Sequence, residues 1–377
     1  MSARDRQAAS AVYAAYGVLF VLLAVGGLLG IASRSSQPAS QGEWPYGELV
    51  PTAASRLPAW PSPTPEAEAE SEAISPFRRA GFGISTSASP ETWSSRLGAG
   101  WYLDWRAAAV PSSRSLEYWP MVRLSAQGAR PALEEIVQIA QANPGRVWII
   151  GNEPDVIWQD NLPPLEYARV YRQLYTLIKQ VDPTAKVAVG GVSQATPLRL
   201  QYLDLVLETY RQEFGGALPA DWWTVHGFVL REQRDSWGVG IPPGLPDEQG
   251  ILYEIDDHDR LDYFAAHLRN FRSWLAQNGY RETPLALTEF GILMPPEYGF
   301  PSELVSQYLR DTFDLLLTLQ DQRTGYPADE YRLVQRWALF SLSDPLYPTA
   351  NLGDLGADRL TPVGLAYREF IQSLGSP

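Results

Sequence analysis

Val147-Trp148-Ile149-Ile150-Gly151-Asn152-Glu153-Pro154-Asp155 is the stretch on which the fold turns. Its first four residues are β-branched or aromatic and suit a parallel strand buried on both faces. Pro154 lacks a backbone donor and cannot carry the ladder further. Glu153 is therefore expected at the C-terminal mouth of a strand. A second stretch repeats the pattern, with Pro284-Leu285-Ala286-Leu287 running into Thr288-Glu289-Phe290-Gly291. There too the glutamate arrives where the strand should stop.

Outward from this pair, short apolar runs alternate with helical stripes, the mark of repeated βα units. The strand candidates are Arg79–Ser85, Gly100–Trp105, Met121–Leu124, Arg146–Ile150, Lys186–Gly190, Trp222–Val229, Leu285–Leu287 and Arg336–Phe340. Between them, Leu165–Val181 places Tyr167, Val170, Tyr171, Leu174, Leu177, Ile178 and Val181 on one helical face. Similar stripes occur in Pro131–Ala142, Leu200–Phe214, Leu261–Asn278 and Ser302–Thr318, whereas Arg106–Pro120 reads as loop. The pattern predicts an α/β chain folded as a (β/α)8 barrel, with an open doubly wound sheet as the alternative. Against the open sheet, no Gly-rich phosphate turn follows the first strand, and Gly238-Val239-Gly240 lies in a Pro-rich loop. In a barrel the catalytic groups come from C-terminal strand ends, so Glu153 would end the fourth strand and Glu289 the seventh.

Two carboxyls facing each other across such a mouth are what glycoside hydrolysis requires. One protonates the leaving oxygen, and the other attacks the anomeric carbon or activates water. A like charge nearby disfavours a second ionised carboxylate, so whichever of the two is the acid is expected to have a raised pKa.

Composition narrows the partner. A formal net charge of −13 over 377 residues argues against nucleic acid, whose phosphates are met by Lys and Arg. The 13 Trp and 19 Tyr offer faces for sugar rings as well as core packing. With no Cys, three His and no His-Glu-x-x-His run, neither thiolate chemistry nor a metal centre is indicated, and no cofactor is expected. Asp256-Asp257-His258-Asp259 lacks the glycine turn of a calcium loop and reads as a solvated acidic loop or helix cap.

The N-terminal part reads differently. Ala11–Ala32 is an uncharged apolar stretch long enough to cross a bilayer, flanked by Arg4 and Arg6 before it and Arg34 after it. Residues 1–32 are expected to form a cytoplasmic tip and a membrane signal-anchor, with a cleaved signal peptide as the alternative. Residues 33–74 are rich in Pro, Ser, Ala and Glu and read as an unstructured tether. Residues 75–377 form the remaining domain, placed outside the cell, single-pass anchored or secreted, and expected to be monomeric.

Trp101-Tyr102-Leu103-Asp104-Trp105, Pro120-Met121, Gly151-Asn152-Glu153-Pro154-Asp155, Val225-His226-Gly227 and Thr288-Glu289-Phe290-Gly291 together carry a resemblance over most of residues 78–345. The chain resembles the clan-A glycoside hydrolases, and more narrowly the catalytic core of fungal alkali-sensitive-linkage proteins and related β-1,3-glucanases. The resemblance implies Glu153 as acid/base and Glu289 as nucleophile of a retaining, double-displacement mechanism on a polysaccharide. It also implies Asn152 beside the sugar 2-hydroxyl. His226, Trp105, Asp104 and Trp337 are the further candidates for substrate contact, Trp337 as an aromatic floor. Relatives often place a Trp or Tyr after the sixth-strand histidine, and a Tyr in this region can hydrogen-bond the nucleophile. Here the run is His226-Gly227-Phe228, and a phenyl ring donates no such bond. Tyr253 is the candidate replacement, and a surface carbohydrate-binding protein on the same barrel is the alternative function.

Overall fold

A computed structural model describes residues 75–85, 87–110 and 116–375. The expected anchor at 11–32 and tether at 33–74 lie outside them. Among the described residues no helix is long and apolar enough to cross a membrane.

The fold is built on a curled, mostly parallel sheet of ten strands: β1 (Ala80–Gly83), β2 (Trp101–Leu103), β3 (Glu117–Tyr118), β4 (Met121–Ser125), β5 (Gly128–Arg130), β6 (Val147–Ile150), β7 (Lys186–Val192), β8 (Trp222–His226), β9 (Leu285–Phe290) and β10 (Arg336–Leu339). They are ordered β3-β2-β1-β10-β9-β8-β7-β6-β4-β5. β3 and β4 stand far apart in that order, yet only Trp119 and Pro120 separate them in the chain. The sheet therefore curls back on itself through residues 117–125. Trp119 N–H donates to Tyr102 O (3.0 Å), while Pro120 O accepts from Ile149 N–H (2.9 Å). The ladder changes partner at a residue with no N–H to give. β5 turns back antiparallel on β4, and the eight remaining parallel strands apart from β3 are those expected from the sequence.

Alternation along the strands separates two cores. Val147 and Ile149 of β6, Ala188 of β7, Ala286 of β9 and Ala338 of β10 point inward, where small alanines leave room for Trp101, Trp119 and Met121. Trp148, Ile150, Val187, Val189, Leu285, Leu287, Trp337 and Leu339 point outward, against the helices. Trp337 is therefore not the floor of a cleft. It is fully buried with its ring 5.9 Å from Phe313, because it stands one position away from the inward-facing Ala338.

The helices cover the outer face: α1 (Pro90–Leu97), α2 (Leu133–Ala142), α3 (Pro164–Val181), α4 (Pro197–Phe214), α5 (Leu261–Gln277), α6 (Ser302–Thr318) and α7 (Pro362–Ser373). α1 and α7 were not anticipated from the sequence. Each follows a short hydroxyl cap: Ser89 accepts from Thr92 N–H and Thr361 from Gly364 N–H. α7 ties itself to the sheet through Tyr367 Oη, which donates to Gly81 O (3.1 Å). The acidic run after β8 forms a cap, with Asp257 accepting the Glu254 N–H ahead of the turn Ile255–Asp257.

Candidate active site

Glu153 sits just beyond β6, with its backbone turned to φ +44°. A left-handed backbone is strained for a residue with a side chain, at roughly 1–3 kcal/mol, and persists only where the surroundings hold it. Two buried acids do so. Asp160 Oδ2 accepts the N–H groups of Asn152 (2.7 Å) and Leu124 (2.9 Å), and its Oδ1 accepts from Arg123 Nε (2.7 Å). Asp155, fully buried, accepts from Ser193 Oγ (2.9 Å) and lies 3.1 Å from Arg199 Nε, which also faces Glu232 at 3.3 Å. Burial pushes the Asp155 carboxyl up to about 6 against the pull of Arg199.

Glu289 reaches the same mouth by a different device. His226 pairs with Glu289 where Val225 pairs with Leu287, so β9 carries one residue more than β8 at this point. The register with β10 jumps at the same place, from Trp337–Leu287 to Leu339–Phe290. Strict alternation from the inward Ala286 would turn residue 289 outward. The bulge at Thr288-Glu289 re-aims it inward, beside His226.

His226 bridges the two carboxyls. Its Nδ1 lies 2.8 Å from Glu153 Oε1 and its Nε2 lies 3.5 Å from Glu289 Oε1. Facing atoms of the three groups all fall within 4.8 Å of one another. Burial disfavours charge on His226, but Glu289 and then Glu153 outweigh it, and the ring is raised above its ordinary value. Burial likewise pushes Glu289 up to about 7, opposed by His226 and reinforced by the charge of Glu153. The upward push that the structure shows falls on Glu289. No other acidic and histidine groups among the described residues gather closely enough for a metal ion. The imidazole here spends Nδ1 on Glu153 and turns Nε2, without a hydrogen bond among the described residues, towards Glu289.

Trp105 closes the group. Its Nε1–H donates to Glu289 Oε1 at 2.7 Å, and its backbone is also left-handed at φ +54°. Two glycines make room for these rings. A Cβ at Gly83 would stand 2.4 Å from the Trp105 ring, and one at Gly191 would stand 2.8 Å from that of His226.

Solved structures share this architecture. No protein-family model matches the sequence, and no curated protein matches it significantly. A GH128 (subgroup II) endo-β-1,3-glucanase from Sorangium cellulosum matches 79% of this chain and 98% of its own at TM-score 0.53 and 18% identity. A GH128 (subgroup III) curdlan-specific exo-β-1,3-glucanase from Blastomyces gilchristii, solved with glucose, matches 77% and 97% at 0.51 and 17%. A GH128 (subgroup I) endo-β-1,3-glucanase from Amycolatopsis mediterranei, solved with laminarihexaose, matches 77% and 98% at 0.50 and 16%. At these identities the likeness is one of fold.

The other expected residues fall on both sides of the line. Asn152 stands next to Glu153 with its side-chain Oδ1 buried and unpartnered. Asp104 does not join the pair: its oxygens accept from Arg106 N, Nε and Nη2 and from Tyr118 Oη. Tyr253 is not the missing donor either, since its hydroxyl pairs with His267 Nε2 (3.0 Å). Phe228 meets the His226 ring edge-on at 6.0 Å. Three aromatics escaped sequence reasoning. Phe340 packs edge-on against Trp105 at 5.5 Å, and Tyr347 packs on Phe340 at 6.1 Å and feels the charge of Glu153. Trp158, on the loop that carries Glu153, is 52% exposed. Its signal was its place, five residues past the glutamate in the loop that follows it.

Proposed function

We propose that this chain is a retaining glycoside hydrolase acting on a β-1,3-glucan. One observation carries the reading: two buried carboxyls with facing oxygens within 4.8 Å at the C-terminal ends of the parallel strands of the curled sheet. Retaining enzymes hold their carboxyls about 5–5.5 Å apart, whereas inverting ones leave about 6.5–9.5 Å for a water.

Among the described residues each carboxyl has one oxygen hydrogen-bonded and one without such a partner. Glu289 Oε1 is fixed by Trp105, leaving Oε2 to attack the anomeric carbon. Glu153 Oε1 is fixed by His226, leaving Oε2 to give its proton to the departing glycosidic oxygen. The C–O bond to the leaving sugar breaks as the bond to Glu289 forms. Glu153 then removes a proton from water, which attacks the same carbon and releases Glu289 as carboxylate. As the bond-making oxygen loses charge, Glu289 needs to begin ionised, which His226 and the Trp105 N–H favour. Asn152, with its unpartnered amide oxygen, is the group for the sugar 2-hydroxyl, and exposed Trp158 is a platform for a further ring.

The β-1,3 linkage is supported by the glucanases that share the fold. The apolar residues 11–32 and the tether-like 33–74 support an exported, membrane-held enzyme working outside the cell. A purely carbohydrate-binding role drew its motive from the phenyl ring of Phe228 together with the long tether-like 33–74. The indole of Trp105 supplies that donor, so the Phe228 part of the motive falls away.

In the test, Glu289→Ala is assayed on β-1,3-glucan beside other glucans, mannans and xylans. Turnover by the full-length protein should vanish in the variant, and azide should restore it with formation of a glycosyl azide. Undiminished turnover by the variant, or no product from any glycan with the unaltered protein, would sink the assignment.

A further inference from the structure

We infer that Trp105 is the positioning residue of the nucleophile, holding Glu289 through an indole N–H. This rests on the glycosidase reading of the site.

Three sides of the ring are specified. The N–H edge meets Glu289 Oε1 at 2.7 Å, the six-membered edge fills the space left by Gly83, and Phe340 packs edge-on at 5.5 Å. The backbone beneath it is left-handed, a conformation that a bulky aromatic adopts only when its surroundings impose it. A ring lying open as a sugar platform needs none of these constraints. Among the described residues no other side chain hydrogen-bonds the Glu289 carboxyl; the nearest group, His226 Nε2, stands off at 3.5 Å.

The chemistry of the donor matters. A phenol can give or accept a hydrogen bond and can lose its proton. The indole N–H only donates. Trp105 therefore favours the ionised carboxylate, to which it bonds more strongly than to the neutral acid, fixes which oxygen is held, and cannot take a proton from Glu289 at any working pH. It also resolves the departure at Phe228: the support for the nucleophile comes from the end of β2 instead of β8. The ring of Phe228 is then free to pack on His226.

The test uses full-length Trp105→Phe and, to keep the ring shape, the protein carrying benzothienylalanine at 105, in which sulfur replaces the N–H. Carboxyl carbon NMR, with the Glu289 signal assigned by its loss in Glu289→Gln, should show residue 289 titrating about one to two pH units higher in both. This readout needs no substrate. On β-1,3-glucan, kcat should fall about tenfold to a hundredfold with KM unchanged, and the acid limb of the pH profile should move up with the titration. An unmoved Glu289 titration in the benzothienyl protein would overturn the inference, leaving Trp105 as packing. A change confined to KM would overturn it in favour of a sugar contact. A moved titration in a protein that hydrolyses no glycan would uphold the inference and sink the glycosidase reading instead.

Discussion

Glu289 works against the stability of the chain that holds it. Glu289 has an ordinary value of 4.5 and is pushed up to about 7 in the fold, chiefly by burial. The folded state then holds the proton more tightly than the unfolded state, so stability falls as pH rises through that window. Replacing the carboxyl by its neutral isostere removes the penalty. Glu289→Gln should melt at a higher temperature than the parent at pH 8, with the gap closing near pH 4; an equal or lower melting temperature at pH 8 would refute this. Both glutamates were legible in the sequence because each ends an apolar run with a residue that breaks strands. Trp105 was legible as a site residue but not as a donor, since the bond spans 184 positions and no local pattern encodes it. Trp337 was misplaced by a single position: alternation along β10 turns 337 outward and 338 inward, and Phe340 is the aromatic that reaches Trp105.

Loops hold the site as firmly as strands do. His258, fully interior, donates through Nδ1 to Val229 O (2.9 Å) and accepts at Nε2 from Leu293 N–H (2.9 Å). It thereby staples the loop after β8 to the loop after β9, the two strands that deliver His226 and Glu289. Burial pushes it down to about 4 from its ordinary 6.5. The folded state keeps it neutral while the unfolded chain protonates, so its contribution is whole above pH 6.5 and drains away towards pH 4. In chemical denaturation, the stability advantage of the parent over His258→Gln should shrink by about 2 kcal/mol between pH 8 and pH 5. A pH-independent gap would mean that the imidazole titrates alike in the folded and unfolded chain. None of this was readable beforehand, where His258 belonged to an acidic run. The bulge in β9 was equally hidden, because Leu285–Leu287 looks like a strand that stops three residues earlier than Phe290.

At the scale of the molecule, the sequence carried the architecture because parallel buried strands are continuous apolar runs, and their regular spacing leaves few topologies open. The closure was less visible: it depends on Pro120 and on β3, two residues long, whose pairing with β2 no periodicity can announce. The ends of the fold are also clamped by long-range contacts. Arg79, ahead of β1, forms a buried pair with Asp329 and donates to Gln335 O next to β10. α7 covers β1 from the far end of the chain. That frame sets the two strand mouths that carry Glu153 and Glu289, and the stereochemistry of the product tests directly the carboxylate attack proposed for them. Proton NMR of the anomeric signal during the first minutes of β-1,3-glucan hydrolysis by the full-length protein should show the β-anomer appearing first and the α-anomer only by later mutarotation. The α-anomer appearing first would mean single displacement by water and would contradict a nucleophilic Glu289.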